Sequence, residues 1–317
     1  MSQTFERERL ALFREHGFAG EGRWYSDASG RRTYAVVRGS GDVPTLLVHG
    51  GLAEASVWAM MAGQLDGCVM AVDRPGCGLS DPIDYSGLDY RADAASWLRG
   101  LCDAIGAARV DLVGNSMGGF FCMAFACAYP ERVRRMVLPG APAGLDRPLP
   151  LFLRLWGNPV LGGVIASMVA GLADPELLRR RVFRDLVAHP ERVPVPVLQL
   201  AIAAARLPGA ARTSRSMLRA VSTLGGWRRE LMLRESMQAC PVPTRFLWGA
   251  RDAFAPPSSG EELAARMPHA SIAVLDDVGH FPQLDAPEEV ARLVSEFLGK
   301  ADASMPALGV TTLDHRQ

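Results

Sequence analysis

The stretch Val113-Gly114-Asn115-Ser116-Met117-Gly118-Gly119 decides the fold of this chain, because it sets a serine between glycines in the pattern G-x-S-x-G. The apolar residues at 110–113 predict a buried strand before it, and the unbroken apolar run at 120–129 predicts a buried helix after it. Ser116 is therefore expected on a sharp turn between strand and helix. The flanking glycines give that turn room, and the helix N-terminus favours the negative charge that develops beside a nucleophile.

A serine nucleophile requires a base and a group that orients the base, and the chain has a candidate for each. Residues 244–249 predict a strand, and Asp252 follows it closely, where a carboxylate would emerge at the end of the strand. Residues 271–275 predict a further strand, and His280 lies on the loop after it. We expect Asp252 to orient His280, and His280 to remove the proton of Ser116.

An oxyanion hole requires backbone N–H groups aimed at the oxygen that becomes negative during the reaction. Residues 46–48 predict a buried strand that ends at His49, and the glycines after it allow the next loop to approach the serine. Two N–H groups of this loop are candidate donors, Gly51 first and Leu52 second. The other donor is expected to be Met117, the residue after the nucleophile, and His49 is expected to hold the loop.

Together with Asp73-Arg74-Pro75-Gly76-Cys77-Gly78-Leu79-Ser80, these motifs resemble the α/β-hydrolase superfamily over residues 24–300. The chain order serine, aspartate, histidine is typical of that superfamily. The resemblance implies an α/β-hydrolase fold, in which a mainly parallel, doubly wound sheet carries an inserted helical cap. The alternation of predicted strands and helices agrees with this fold. The predicted strands lie near 33–38, 45–49, 69–73, 110–113, 135–139, 244–248 and 271–275.

The chain divides into four segments. Residues 1–145 are predicted to form the first part of the α/β-hydrolase core, 146–235 the helical cap, and 236–300 the second part of the core. In the cap segment the alternation of strands and helices stops, and Leu, Met, Ala and Arg recur at helical spacing between prolines. The last segment, 301–317, has no clear pattern and is predicted to be a loose tail.

Asn115, the residue before the serine, makes the turn similar to that of the C–C hydrolases, which cleave vinylogous 1,5-diketones from aromatic degradation. Two other features differ from those enzymes, whose oxyanion loop usually runs Gly-Pro-Gly and whose catalytic histidine is usually followed by Trp. Here the loop runs Gly51-Leu52-Ala53-Glu54 and Phe281 follows His280. These two features are more similar to carboxylesterases.

The resemblance implies a hydrolase that needs no cofactor and acts on a small, largely apolar carbonyl substrate through an acyl-enzyme. A carboxylic ester is the first expectation for the substrate, and the C–C bond of a vinylogous diketone is the alternative. In the C–C alternative, the histidine first supports ketonisation of a dienol. A non-hydrolytic cyclase or a ligand-binding homologue is a further alternative, since a fold does not fix a function.

The cap segment is rich in arginine. Residues 146–235 contain 14 Arg and 7 Asp or Glu, a net charge of +7, whereas the rest of the chain carries −7. Two explanations remain open, docking of the cap on an acidic core and binding of an anionic substrate. The segment 175–183 resembles the cap helix from which C–C hydrolases present an arginine to the substrate carboxylate, and Arg181 is the best match. Asn115, Arg181 and Phe281 are the candidate substrate-binding residues.

The composition argues against several other classes of protein. The 317 residues have a formal net charge of zero, which is not typical of a nucleic-acid-binding protein. No apolar run reaches the roughly 20 residues of a membrane helix, and the charged start of the chain does not resemble a signal peptide, so we expect a cytoplasmic protein. Cysteines and histidines lack metal-ligand spacing, so no metal is expected. The expected partner is a small-molecule substrate, and a homo-oligomer remains open.

Overall fold

A sheet of nine strands forms the centre of the part of the chain that the computed structural model describes. That part comprises residues 1–51, 53–158, 161–164, 171 and 173–299, with the backbone of 311–312. The strands in chain order are β1 (Glu21–Ser26), β2 (Arg32–Arg38), β3 (Thr45–Val48), β4 (Val69–Val72), β5 (Val110–Gly114), β6 (Val133–Pro139), β7 (Ser222–Thr223), β8 (Gly226–Trp227), β9 (Thr244–Gly249), β10 (Ala270–Leu275) and β11 (Thr311–Thr312). Strands β7 and β8 pair only with each other, as a separate hairpin.

The sheet is mainly parallel, which confirms the prediction. Its order is β1-β2-β4-β3-β5-β6-β9-β10-β11; β2 is antiparallel to both of its neighbours, and all the other pairs are parallel. The seven predicted strands all form. Strand β1 was not predicted, because it lies at the sheet edge and none of its residues is buried. Strand β11 lies in the predicted tail. The other residues of the tail lie outside the part of the chain that the structure describes.

Helices cover both faces of this sheet. The helices are α1 (Ser2–Glu15), α2 (Ala59–Ala62), α3 (Tyr90–Ala104), α4 (Met117–Ala128), α5 (Leu151–Trp156), α6 (Pro175–Arg181), α7 (Val195–Ala205), α8 (Ala210–Val221), α9 (Arg234–Gln238), α10 (Pro257–Ala264), α11 (Pro282–Asp285) and α12 (Pro287–Leu298). Alternate residues of β3 point to opposite faces. Leu46 and Val48 pack in one apolar core with α3 and α4, whereas Leu47 packs in the other with α1, α2 and α12. The sheet is therefore doubly wound.

The register of the parallel strands brings the candidate site residues to one edge of the sheet. Val48 at the end of β3 pairs with Gly114 at the end of β5, so the loop at His49 and the turn at Ser116 start side by side. Gly249 at the end of β9 pairs with Leu275 at the end of β10 in the same way. The loops that carry the acid and the base therefore leave the sheet together, at the carboxyl ends of its strands, where open α/β sheets bind ligands.

Helices α5 to α8 and the start of α9 lie in the segment 146–235, and the division of the chain into core and cap stays a prediction. The β7–β8 hairpin within it was not predicted; it turns at residues 224–225, and Gly226, the first residue of β8, has a φ of 105° that favours glycine. The cap docks on the core through α8. The hydroxyl of Thr213 donates to the carbonyl of Ile83 at 2.8 Å, and the N–H of Tyr85 donates to the hydroxyl of Ser216 at 3.1 Å.

Helix α1 precedes the region that carries the motifs. It is amphipathic, although many of its residues are charged. Phe5, Leu12 and Phe13 are buried on one side of it, at helical spacing, and Arg9 is buried with them. The helix packs against α2 of the core and α7 of the cap. No helix among the described residues is long and apolar enough to cross a membrane.

Candidate active site

Ser116 lies on the tight turn between β5 and α4 that its glycine pattern predicts. Its φ of 52° and ψ of −114° form a backbone conformation that residues other than glycine rarely adopt. A Cβ atom at Gly118 would lie 2.0 Å from the carbonyl oxygen of Val48, and one at Gly114 would lie 2.6 Å from Sγ of Cys122. Neither position has room for a side chain. The close packing of helix and strands therefore holds the serine in its strained conformation.

The carboxylate of Asp252 lies against the ring of His280. Nδ1 of His280 is 2.9 Å from Oδ2 and 3.0 Å from Oδ1, and both side chains are buried. The carboxylate also accepts hydrogen bonds from the N–H groups of Ala141 and Phe254, at 2.8 and 2.9 Å. Burial alone would raise the pKa of the Asp252 carboxyl, but His280 and these hydrogen bonds hold that pKa below its ordinary value. The acid is thus a fixed carboxylate that can orient the ring.

The other ring nitrogen of His280 faces a cavity. Nε2 is buried without a hydrogen-bond partner among the described residues, and His280 lines the same cavity as Ser116. The ring of Phe254 stacks on the imidazole with centroids 3.9 Å apart, and the ring of Phe281 lies 5.7 Å away. A histidine held at one nitrogen and free at the other can accept the proton of a serine hydroxyl. Sequence reasoning missed Phe254, whose only signal is its position two residues after Asp252.

The loop after β3 is held by His49 and Arg74, which supports the structural role expected for His49. The backbone N–H of Arg74 donates to Nε2 of His49 at 3.0 Å, so Nδ1 carries the ring proton and donates to the carbonyl of Gly50 at 2.9 Å. The guanidinium of Arg74 donates to the carbonyls of His49 and Gly50, at 2.9 and 2.7 Å. Burial, with the charge of Arg74, lowers the pKa of His49 well below its ordinary value. The neutral ring of His49 therefore holds the oxyanion loop through its two hydrogen bonds.

Two backbone N–H groups in this region are free to bind an oxyanion. Those of Gly51 and Met117 donate to no backbone acceptor among the described residues. Both residues line the cavity together with Ser116. Leu52, the second candidate donor of the loop, lies outside the described residues. Gly51 and Met117 are thus placed where an oxyanion hole needs its donors, and the role itself stays a prediction.

Asn115 lies behind the cavity wall and does not line the cavity. Its side chain is fully buried, and its amide N–H₂ donates to the carbonyls of Pro139 and His280, at 2.8 and 2.9 Å. The expectation that Asn115 contacts the substrate is therefore corrected, because its amide ties the histidine loop to the end of β6. Phe281, the neighbouring candidate, does line the cavity.

A cavity of about 750 Å³ lies between the core and the cap. Most of its cap wall is apolar, and such a cavity suits a small organic ligand. Trp227 on this wall stacks on Phe120 of α4, with ring centroids 5.9 Å apart, so the apolar wall adjoins the helix of the nucleophile. The larger apolar side chains of this wall include Leu149, Phe152, Leu153, Trp156, Phe183, Met217 and Trp227.

The three consecutive arginines of α6 have three different surroundings. Arg179 is buried and donates to the carbonyl of Val193 at 2.8 Å, so it holds the cap together. Arg180 is exposed and does not line the cavity. Arg181 is exposed as well, but it lines the cavity and has no hydrogen bond or ion pair among the described residues. The cavity-lining Arg154 instead donates to the carbonyl of Leu224 at 2.8 Å, which leaves Arg181 as the better candidate for an anionic ligand.

The wall with Arg181 adjoins the histidine loop. The N–H of Phe281 donates to the carbonyl of Leu186 at 2.8 Å, which joins the segment after α6 to the residue after His280. The segment that follows Arg181 and the residue after His280 therefore contribute neighbouring parts of the cavity lining. The described residues contain no group of three or more His, Cys, Asp or Glu side chains that could hold a metal ion.

Known proteins resemble this chain over most of its length. The model of the alpha/beta hydrolase family matches residues 45–293. The 2-hydroxymuconate semialdehyde hydrolase of Pseudomonas putida is 31% identical over 286 residues, which cover 87% of this chain and 94% of that protein. A 2-hydroxy-6-oxononadienedioate/2-hydroxy-6-oxononatrienedioate hydrolase of the same species is 29% identical over 280 residues, which cover 82% and 89% of the two chains. The solved structure of a meta-cleavage product hydrolase from Pseudomonas fluorescens has a TM-score of 0.70 and 25% identity, and the match covers 88% of this chain and 97% of that one.

Proposed function

This chain belongs to the alpha/beta hydrolase family, and on that premise we propose that it is a serine hydrolase that cleaves the C–C bond of a 2-hydroxy-6-oxo-dienoate. One observation carries the proposal. The cavity that contains Ser116 and His280 is also lined by Arg181, which has no partner among the described residues, and by many apolar side chains. A carboxylate with an apolar or aromatic tail fits this arrangement, and 2-hydroxy-6-oxo acids of this kind have both.

The protein residues supply a proton carrier, a nucleophile and an oxyanion hole. Asp252 orients His280, which supports ketonisation of the dienol by returning a proton to C5 of the substrate. His280 then takes the proton of Ser116 while the serine oxygen attacks the ketone carbon C6, and the N–H groups of Gly51 and Met117 bind the oxyanion.

Collapse of the oxyanion breaks the bond between C5 and C6. The electron pair leaves with C5 as a dienolate, which takes a proton from His280 and departs as a 2-hydroxydienoate. The acyl group remains on Ser116. Water, deprotonated by His280, hydrolyses this ester and releases a carboxylic acid. One water molecule is consumed in the whole sequence.

A carboxylic ester would use the same residues and was the first expectation from the loop sequence and Phe281. The comparisons support the C–C alternative better, because the relatives named above are hydrolases of 2-hydroxy-6-oxo acids or of meta-cleavage products. The order of the two expectations is therefore reversed. Arg181 favours the same choice, since a neutral ester gives this side chain no partner.

The test is product analysis with 2-hydroxy-6-oxo-6-phenylhexa-2,4-dienoate. The wild type is expected to release benzoate and 2-hydroxypenta-2,4-dienoate in equal amounts, and Ser116→Ala to release neither. Ser214→Ala is the matched control, because Ser214 is another serine that lines the cavity and should be dispensable. If the enzyme hydrolyses p-nitrophenyl acetate but leaves the dienoate intact, the proposal is contradicted. A carboxylic ester would then again be the first expectation for the substrate.

A further inference from the structure

A group of buried charges lies behind the oxyanion loop and is separate from the serine, histidine and aspartate. Nη1 of Arg9, on α1, is 2.7 Å from Oδ2 of Asp73 and 3.0 Å from Oε2 of Glu54. The side chains of Arg9 and Asp73 are 0% exposed and that of Glu54 is 1% exposed. One cation from the N-terminal helix therefore forms ion pairs with two carboxylates, which come from two different loops of the core.

Both carboxylates also hold the backbone just beyond Gly51. Glu54 accepts a hydrogen bond from the N–H of Ser56 at 3.0 Å and another from the hydroxyl of Ser56. Asp73 accepts a hydrogen bond from the N–H of Ala55 at 3.0 Å. The far end of the oxyanion loop is thus fixed by the two carboxylates that Arg9 binds, as its near end is fixed by His49.

Arg9 itself has little freedom to move. Its guanidinium carbon lies 5.0 Å from the ring centre of Phe5 and 4.7 Å from that of Tyr34, at distances typical of cation–π contacts. Helix α1 is held in turn between α2 and the cap helix α7. Residue 9 lies outside the region 45–293 that matches the family model, so the ion pairs of Arg9 join a residue outside the matched region to two residues within it.

We propose that Arg9 is a positioning residue of the oxyanion hole: its ion pairs with Glu54 and Asp73 fix the loop that presents the N–H of Gly51 to the substrate oxygen. The inference rests on the proposed function, because it assigns Gly51 that role. The two carboxylates share one nitrogen as their partner in a site without solvent exposure. Loss of the cation leaves like charges together in a medium that screens them poorly, so the loop has to shift or a carboxylate has to take up a proton.

The experiment compares Arg9→Met, which removes the charge and keeps much of the side-chain length, with Arg7→Met, since Arg7 is an exposed arginine of the same helix. Active serines are counted by titration with a fluorophosphonate, and kcat on the dienoate or on p-nitrophenyl acetate is divided by that count. Loss of a complete oxyanion donor costs about 10²–10³ in kcat. We expect a displaced donor to lower kcat per active serine about tenfold in Arg9→Met, with KM changed less than twofold, and no loss in Arg7→Met.

Arg9→Met/Glu54→Gln removes the cation of Arg9 together with the negative charge of Glu54, one of its two ion-pair partners. This variant is expected to recover most of the lost kcat, and it carries the test if Arg9→Met does not fold. A role in folding alone would lower the number of titrated serines and leave kcat per serine unchanged, which would overturn the inference. Equal kcat per serine in Arg9→Met and wild type, or no recovery in the double variant, would overturn it as well. Failure of the fluorophosphonate to label the wild type would instead refute the proposed function.

Discussion

The two walls of the cavity are built in different ways. The core wall is fixed by buried hydrogen bonds: Asp252 accepts from His280 and two backbone N–H groups, and Arg74 with His49 holds the oxyanion loop. The cap wall consists mainly of apolar side chains, and its Arg181 has no partner among the described residues. We therefore expect the core wall to determine which reaction occurs and the cap wall to determine which substrate undergoes it. Changes in the two walls should have different kinetic consequences.

The largest effects are expected in the core wall. Ser116→Ala and His280→Ala should each lose about 10⁴–10⁶ in kcat, because these two residues take part in bond changes, and Asp252→Asn should lose less because it only orients the ring. Steady-state kinetics on one substrate checks this order. Substantial turnover by Ser116→Ala would rule out the acyl-enzyme. A smaller defect in His280→Ala than in Asp252→Asn would require another base.

Gly118→Ala tests whether the core wall is as tightly packed as the turn requires. The new Cβ would lie 2.0 Å from the carbonyl oxygen of Val48, which belongs to the central strand β3 and cannot give way like a side chain. Overpacking typically costs about 1–3 kcal/mol, and we expect at least the upper value in the free energy of unfolding. Gly41→Ala is the control, since its Cβ would meet only Cys68 at 3.9 Å. Equal stability of the two variants in urea would show that the turn has spare room.

The arginine of the cap wall should affect substrate choice without affecting the chemistry. Arg181→Ala is expected to raise KM for the dienoate about tenfold and to leave KM for a neutral ester unchanged. The tenfold change corresponds to the roughly 1.5 kcal/mol that a hydrogen bond to a charged group contributes. Arg180→Ala is the matched control, because Arg180 is the neighbouring residue and does not line the cavity. An equal change of KM in the two variants would remove the assignment of Arg181 and leave the core wall untouched.

The smallest effect is expected from chelators. The proposed reaction uses only protein groups and water, so incubation with EDTA should leave kcat and KM unchanged. Assays before and after dialysis against the chelator measure this. Loss of activity that added zinc restores would mean that a metal ion takes part in the core wall.

The core wall could be predicted from the sequence because its residues are tied to local patterns. Ser116 needs glycines on both sides, and Asp252 and His280 each follow a strand that has an apolar sequence of its own. Parallel strands end at a common edge, so residues far apart in the chain meet without further information. The fold followed from the same strands, apart from the exposed edge strand β1, the β7–β8 hairpin and β11.

Contacts between elements that have no shared pattern could not be predicted. Asn115 was expected to face the substrate, but its amide binds two carbonyls that come from β6 and the histidine loop. Phe254 stacks on the histidine, and Arg9 reaches two loops from a helix whose charged sequence gives no sign of burial. Such roles depend on tertiary packing, which spacing in one segment does not encode.

The most direct test of the account is the ratio of kcat/KM for 2-hydroxy-6-oxo-6-phenylhexa-2,4-dienoate to that for a neutral phenyl ester of similar bulk, both measured with the wild type. The dienoate is expected to contact the core wall and both parts of the cap wall, with its carboxylate on Arg181 and its tail on the apolar side chains. The ester has no carboxylate, so it contacts only the core wall and the apolar side chains. We expect the ratio to be at least about 10, from the contribution of one charged hydrogen bond. A ratio well below 1, with efficient hydrolysis of the ester, would contradict C–C cleavage as the function of this site.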